Sequence, residues 1–186
     1  MSPEEIGGFI FALIGILLSI KQNKWNWIAN IVASIFYFMA FMNVNLVADA
    51  YLQWFFVGMG IWGFINWNNA KYNSLDAVSN ITKKELGYFL GSLAVISSIL
   101  IFISIHYTPS DYPYWDGVLA SASICNTYLL VKKKIETWII WGLIDLAYMP
   151  LYYIKAYYLS ILLYGIYVVL VVVAYREWKK YLPSRS

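Results

Sequence analysis

A chain of 186 residues that is 61% hydrophobic and only 12% charged is no ordinary soluble domain, since such domains carry about a quarter charged residues. A mean hydropathy of +0.62 and 19% aromatic residues place it in a membrane. The formal charge of +3 is spread over separate loops, which excludes a nucleic-acid surface, and the single cysteine, Cys125, excludes an intramolecular disulfide.

A spanning helix needs about 20 mostly apolar residues, and seven stretches meet or approach that. The first, Ile6–Ile20, is short; Glu4 and Glu5 precede it where a cleaved signal would be basic, and no A-x-A site follows. The second runs from Trp27 to Met42. The third, Leu46–Asn66, holds Asp49 and Gln53, and its Gly58, Gly60 and Gly63 read as close-packing positions. The fourth, Leu86–Ile105, is set apart by the loops Asn68–Glu85 and His106–Tyr112, and His106 is expected to be solvated there. Pro113–Val131, Thr137–Tyr153 and Tyr157–Tyr175 complete the set. The expected fold class is an all-α integral membrane protein with seven transmembrane helices.

Lys and Arg placement sets orientation. Lys21, Lys24, Lys71, Lys83, Lys84, Lys132, Lys133, Lys134, Arg176, Lys179, Lys180 and Arg185 fall on one side of the seven spans, and Lys155 on the other. The N-terminus is therefore expected outside and the C-terminus in the cytoplasm.

A shift of 111 positions brings Trp27 onto Trp138, Tyr37 onto Tyr148, Phe41 onto Tyr152, Phe56 onto Tyr167, Trp67 onto Trp178 and Lys21 onto Lys132. The halves thus read as a repeat. Residues 1–67 form the first three-helix unit, 68–111 a linker with the fourth helix, 112–178 the second unit, and 179–186 a cytoplasmic tail. With one helix between them the units run parallel, a 3+1+3 arrangement known among transporters.

At 100° per residue the sixth span lines up Trp138, Trp141, Asp145, Tyr148 and Tyr152. The second span aligns Trp27, Asn30, Ser34, Tyr37 and Phe41. The third aligns Asp49, Gln53, Phe56, Gly60, Gly63 and Trp67, and the seventh Ser160, Tyr164, Tyr167, Val171 and Ala174. A carboxylate inside a span costs at least about 2.5–3.5 kcal/mol, so Asp145 needs a partner or a water-filled cavity. Beside aromatic rings with negative faces, it suits a flat, cationic ligand, with Asn30 and Gln53 supplying hydrogen bonds. Plainer roles stand beside these. Trp25, Trp67, Trp115 and Trp178 read as interfacial belt residues, and Trp138 as belt or cavity wall. Asp145 has a structural alternative in a bond to Tyr148 or Gln53, and Asp49 in a helix cap. Tyr164 and Tyr167 have one in ordinary packing. No GxxxxGK[ST] motif, HExxH motif or Cys/His cluster is present, so neither a nucleotide-driven pump nor a metal or cofactor site is expected. Without a nucleophile–base pair, no enzyme is expected either.

Three pieces carry a family resemblance: A-D-x-x-L-Q at Ala48–Gln53, G-x-x-x-W at Gly63–Trp67, and W-x-x-W followed by a polar residue at Trp138, Trp141 and Asp145. In order and spacing they resemble the PnuC family of vitamin transporters. The resemblance implies a SWEET-like fold, a homotrimer, and facilitated diffusion of nicotinamide riboside or, in relatives, thiamine or riboflavin. It also implies trapping of the vitamin by a cytoplasmic vitamin kinase. Gln53, Trp138, Trp141 and Asp145 match positions associated with the family's binding site. The expected substrate is a cationic aromatic vitamin in a central aromatic cavity between the repeats: nicotinamide riboside first, thiamine second. A membrane assembly subunit without transport is the reading from another class.

Overall fold

The computed structural model describes residues 2–43, 47–107, 111–154 and 158–182, leaving aside the side chains of 47–49, 151–152, 158–160 and 163. Its helices are α1 (Pro3–Ile20), α2 (Trp25–Asn43), α3 (Val47–Asn68), α4 (Ala70–Asn73), α5 (Lys83–Tyr107), α6 (Pro113–Val131), α7 (Glu136–Ile154) and α8 (Tyr158–Lys179). The seven long ones fall on the seven expected spans. The loop expected at Asn68–Glu85 also contains α4 and a 3-10 turn at Leu75–Ala77, single turns too short to leave a periodic pattern. His106 lies in the last turn of α5, exposed, with its ring 4.5 Å from Phe102.

Local sequence explains the helix starts. Ser2 Oγ accepts the Glu5 N–H at 3.2 Å, the Glu5 carboxylate accepts the Ser2 N–H at 2.7 Å, and Pro3 fills the first turn. Thr82 and Glu85 repeat this capping box before α5, at 3.2 Å and 2.8 Å. By length and composition, α1, α2 and α5 are each apolar enough to cross a membrane.

The chain divides into two compact units, residues 1–77 and 78–186. In the first, α1 packs on α2 and α2 on α3. Glycines let the helices approach: Gly60 lies under Ile31 and Gly63 under the Trp27 ring, while Gly58 faces open space. In the second unit, α5 packs on α6, α6 on α7 and α7 on α8. Leu86, Leu90, Val95, Ile99 and Phe102 of α5 are exposed, an apolar face suited to lipid.

Positions 111 apart adopt the same geometry in the two units. Trp27 meets Trp67 edge-on at 5.4 Å and 86°; Trp138 meets Trp178 at 5.2 Å and 87°. Trp67 and Trp178 are only 1% and 0% exposed, so the expectation of interfacial belts fails for both. The ring-on-ring contact buries more apolar area than a headgroup position would. After α1 the Gln22 and Asn23 amides donate to Ser19 and Leu18; after α6 the Lys133 and Lys134 amides donate to Leu130 and Leu129. This is the Schellman closure, with its left-handed residue at Gln22 (φ 53°) and Lys133 (φ 51°) in place of the usual glycine. Ile31 packs on Gly60 in the first unit, and at the matching positions Gly142 faces Val171, so bulk and space are exchanged between the two helices.

One feature belongs to the second unit alone. The segment Val78–Thr82 is stapled to the α6–α7 turn: Ser79 N–H donates to Lys133 O, Ile135 N–H donates to Ser79 O, and Ile81 N–H donates to the Glu136 carboxylate at 3.0 Å. Lys134 closes it with an ion pair to Glu85 at 2.9 Å.

Candidate functional site

The α7 stripe is the chemical centre of the second unit. Asp145 is 6% exposed, and among the described residues nothing forms a hydrogen bond or ion pair with it. A carboxylate so placed in a spanning helix still needs a cation or donors from outside the described chain. One turn before it, Trp141 is half-buried; just after it, half-buried Tyr148 meets Tyr164 of α8 at 5.4 Å, and Tyr164 meets Tyr167 at 6.0 Å. Asp145 therefore sits along an aromatic seam between α7 and α8, with Trp138–Trp178 toward one end and the tyrosines toward the other. Trp138 itself is 2% exposed and committed to Trp178, so its first role is packing.

The remaining candidates fall in the first unit. The position equivalent to Asp145 is Ser34, also 6% exposed, and the one equivalent to Tyr164 is Gln53. Ser34 and Gln53 line one cleft between α2 and α3 with Ile35, Phe38, Trp54 and Val57; its empty volume is ≈ 130 Å³. That space includes open surroundings and nowhere admits a water-sized sphere, so the cleft as it stands encloses no ligand group. Asn30 is laid against Gly15 of α1, where a methyl group would collide with its side-chain amide, so its first contact is helix packing. Asp49 is in the first turn of α3, and its side chain lies outside the described residues, as does that of Tyr152.

Two groups of polar residues escaped the sequence reading. Asn126 Nδ2 donates to Thr137 O at 3.0 Å, and Thr137 Oγ1 donates to Asn126 O at 3.3 Å. Asn126 Oδ1 and Trp138 Nε1 are left buried without a partner among the described residues, and so are Asn26 Oδ1 and Trp27 Nε1 in the first unit. The run of Ser121, Ser123, Asn126 and Thr127, all buried on α6, was the available signal. The second group is Trp115, expected at the interface; its Nε1–H donates to Ala147 O of α7 at 3.0 Å.

Comparison with known proteins gives the family and the fold. The nicotinamide mononucleotide transporter family model matches residues 2–180. The riboflavin/roseoflavin transporter RibM of Streptomyces davaonensis is 25% identical over 94% of this chain and 84% of its own. The nicotinamide riboside transporter PnuC of Escherichia coli is 22% identical over 96% and 85%. The crystal structure of the vitamin B3 transporter PnuC superposes with a TM-score of 0.77 at 18% identity, covering 98% of this chain and 83% of that one. With the family model spanning nearly the whole chain and the fold shared with a solved member, this protein is a multi-pass membrane transporter, not an enzyme, and belongs to the nicotinamide mononucleotide transporter family.

Proposed function

We propose that the protein carries a flat, cationic vitamin into the cell by facilitated diffusion, with nicotinamide riboside as its substrate. One observation carries this reading: a buried carboxylate, Asp145, has no counter-charge among the described residues and lies on a face with Trp141 and Tyr148. A pyridinium ring supplies the missing charge and a surface for stacking. Asp145 neutralises the cation, Trp141, Tyr148 and Tyr164 provide the stacking surface, and Trp138 holds α7 in place. Thiamine is the second reading, because its thiazolium is also a planar cation. The neutral isoalloxazine of riboflavin makes less use of Asp145, although RibM is among the relatives.

The proposal extends to topology. Seven spans in a 3+1+3 order, SWEET-like, put the basic turns in the cytoplasm, where a vitamin kinase traps the product and drives net uptake; the assembly is a homotrimer in the cytoplasmic membrane. Uptake of labelled nicotinamide riboside, thiamine and riboflavin into proteoliposomes tests the substrate. Saturable flux of the riboside is expected. Flux of riboflavin alone rejects recognition by charge, and no saturable flux of any of the three rejects vitamin transport.

A further inference from the structure

Pro150 lies inside α7 and is exposed. Proline has no N–H, so the carbonyl four residues earlier, at Leu146, loses its helical donor, and the ring crowds that turn. The weakened turn immediately follows Asp145 and contains Tyr148. At this turn the neighbouring helix intervenes: the Trp115 indole, third residue of α6, donates its N–H to the Ala147 carbonyl at 3.0 Å. Trp115 is 44% exposed, so the indole is braced across the outside of the helix pair rather than packed in a core. An interfacial belt tryptophan would turn its N–H toward headgroups; this one turns it toward backbone. Inside a membrane little water competes for either group, so such a bond persists. The first unit has no counterpart, because the positions equivalent to Trp115, Ala147 and Pro150 are Glu4, Phe36 and Met39.

We infer that Trp115 is a positioning residue for transport: its bond to Ala147 braces the proline-weakened turn of α7 and thereby holds Asp145 and Tyr148 in place for the ligand. The inference rests on the proposed role of Asp145, but the brace itself can be read without any ligand. Trp115→Phe keeps the ring and removes the donor at a half-exposed site, so folding is retained. Pro150→Ala returns the backbone N–H to Leu146 O at an exposed site and makes the turn self-supporting.

Two measurements on the full-length protein in proteoliposomes test this. Hydrogen–deuterium exchange across residues 145–154 should rise about fivefold in Trp115→Phe, the worth of one hydrogen bond, and should change little when Pro150→Ala is also present. In nicotinamide riboside uptake, Trp115→Phe should raise KM by a similar factor with Vmax unchanged, and the Pro150→Ala background should cancel that rise. Unchanged exchange in Trp115→Phe, or an equal rise in both backgrounds, overturns the brace. Altered exchange with unchanged KM shows a brace that does not position the ligand, which overturns the positioning role. If wild type carries none of the three vitamins, the functional reading fails, while the exchange experiment still decides the brace.

Discussion

The two units share a scaffold and differ in what they mount on it. Both contain a Schellman turn with a left-handed residue at the matching position, Gln22 or Lys133, both set a tryptophan pair edge-on, and both pack bulk against a small residue at one matching contact. Where the first unit has Ser34, Gln53, Gln22 and Gly63, the second has Asp145, Tyr164, Lys133 and Ala174. The positions that hold the helices together keep their geometry under substitution. Along the α2 and α7 stripes, one position changes from a neutral hydroxyl to a charge, Ser34 to Asp145. The two units thus keep one packing solution while the side chains mounted on it differ in chemistry.

The largest expected effect separates Ser34 from Asp145. Asp145→Asn should weaken a cationic vitamin by about 2 kcal/mol or more, roughly 30-fold, because the buried charge loses its counterpart. Ser34→Ala removes no charge and should change affinity by less than about 1 kcal/mol, the worth of one hydrogen bond. Tryptophan-fluorescence titration of each variant checks both values, and equal losses would erase the distinction between the halves.

Next comes Gln22 against Lys133. Burial pushes the Lys133 ammonium down from 10.5 to about 8. Between those values the unfolded chain holds a proton that the folded chain has released, so stability should rise with pH from about 8 to 10.5 and be flat below 8. The full rise is at most about 3 kcal/mol for a shift of this size. Thermal unfolding in detergent across that range should show the slope in wild type and lose it in Lys133→Gln, which makes the second unit resemble the first.

The smallest effect sharpens the packing comparison. Gly63→Ala places a methyl group against the Trp27 ring and should cost about 1–3 kcal/mol by overpacking. The reciprocal Ala174→Gly should cost about 1 kcal/mol, from lost helix propensity. Apparent melting temperatures of the two variants test whether the tryptophan pairs are seated differently despite their equal spacing.

Much of this was legible in the residues, and the gaps have physical causes. The long helices could be located because a run of apolar residues as long as a bilayer core is thick has few other uses. Stripe reading placed Tyr148 and Tyr164 each on the aromatic face of its own helix, and the structure brings those two rings to 5.4 Å. Trp67 and Trp178 were misplaced because a tryptophan near a helix end looks the same in sequence whether it meets headgroups or another ring. Asn30 has the polarity of a ligand contact, yet its side chain packs on Gly15, a residue of another helix. The bond from Trp115 to Ala147 could not be foreseen, because backbone carbonyls have no sequence signature.

By itself the sequence determined the solvent and the number of long helices, because both follow from composition and spacing along one dimension. Only the tertiary structure decided which aromatic rings are buried in packing, which polar atoms lack partners, and that Asp145 lies buried without a counter-charge among the described residues. Those outcomes depend on which side chain from another helix arrives at a given point, and periodicity along a single helix does not contain that information.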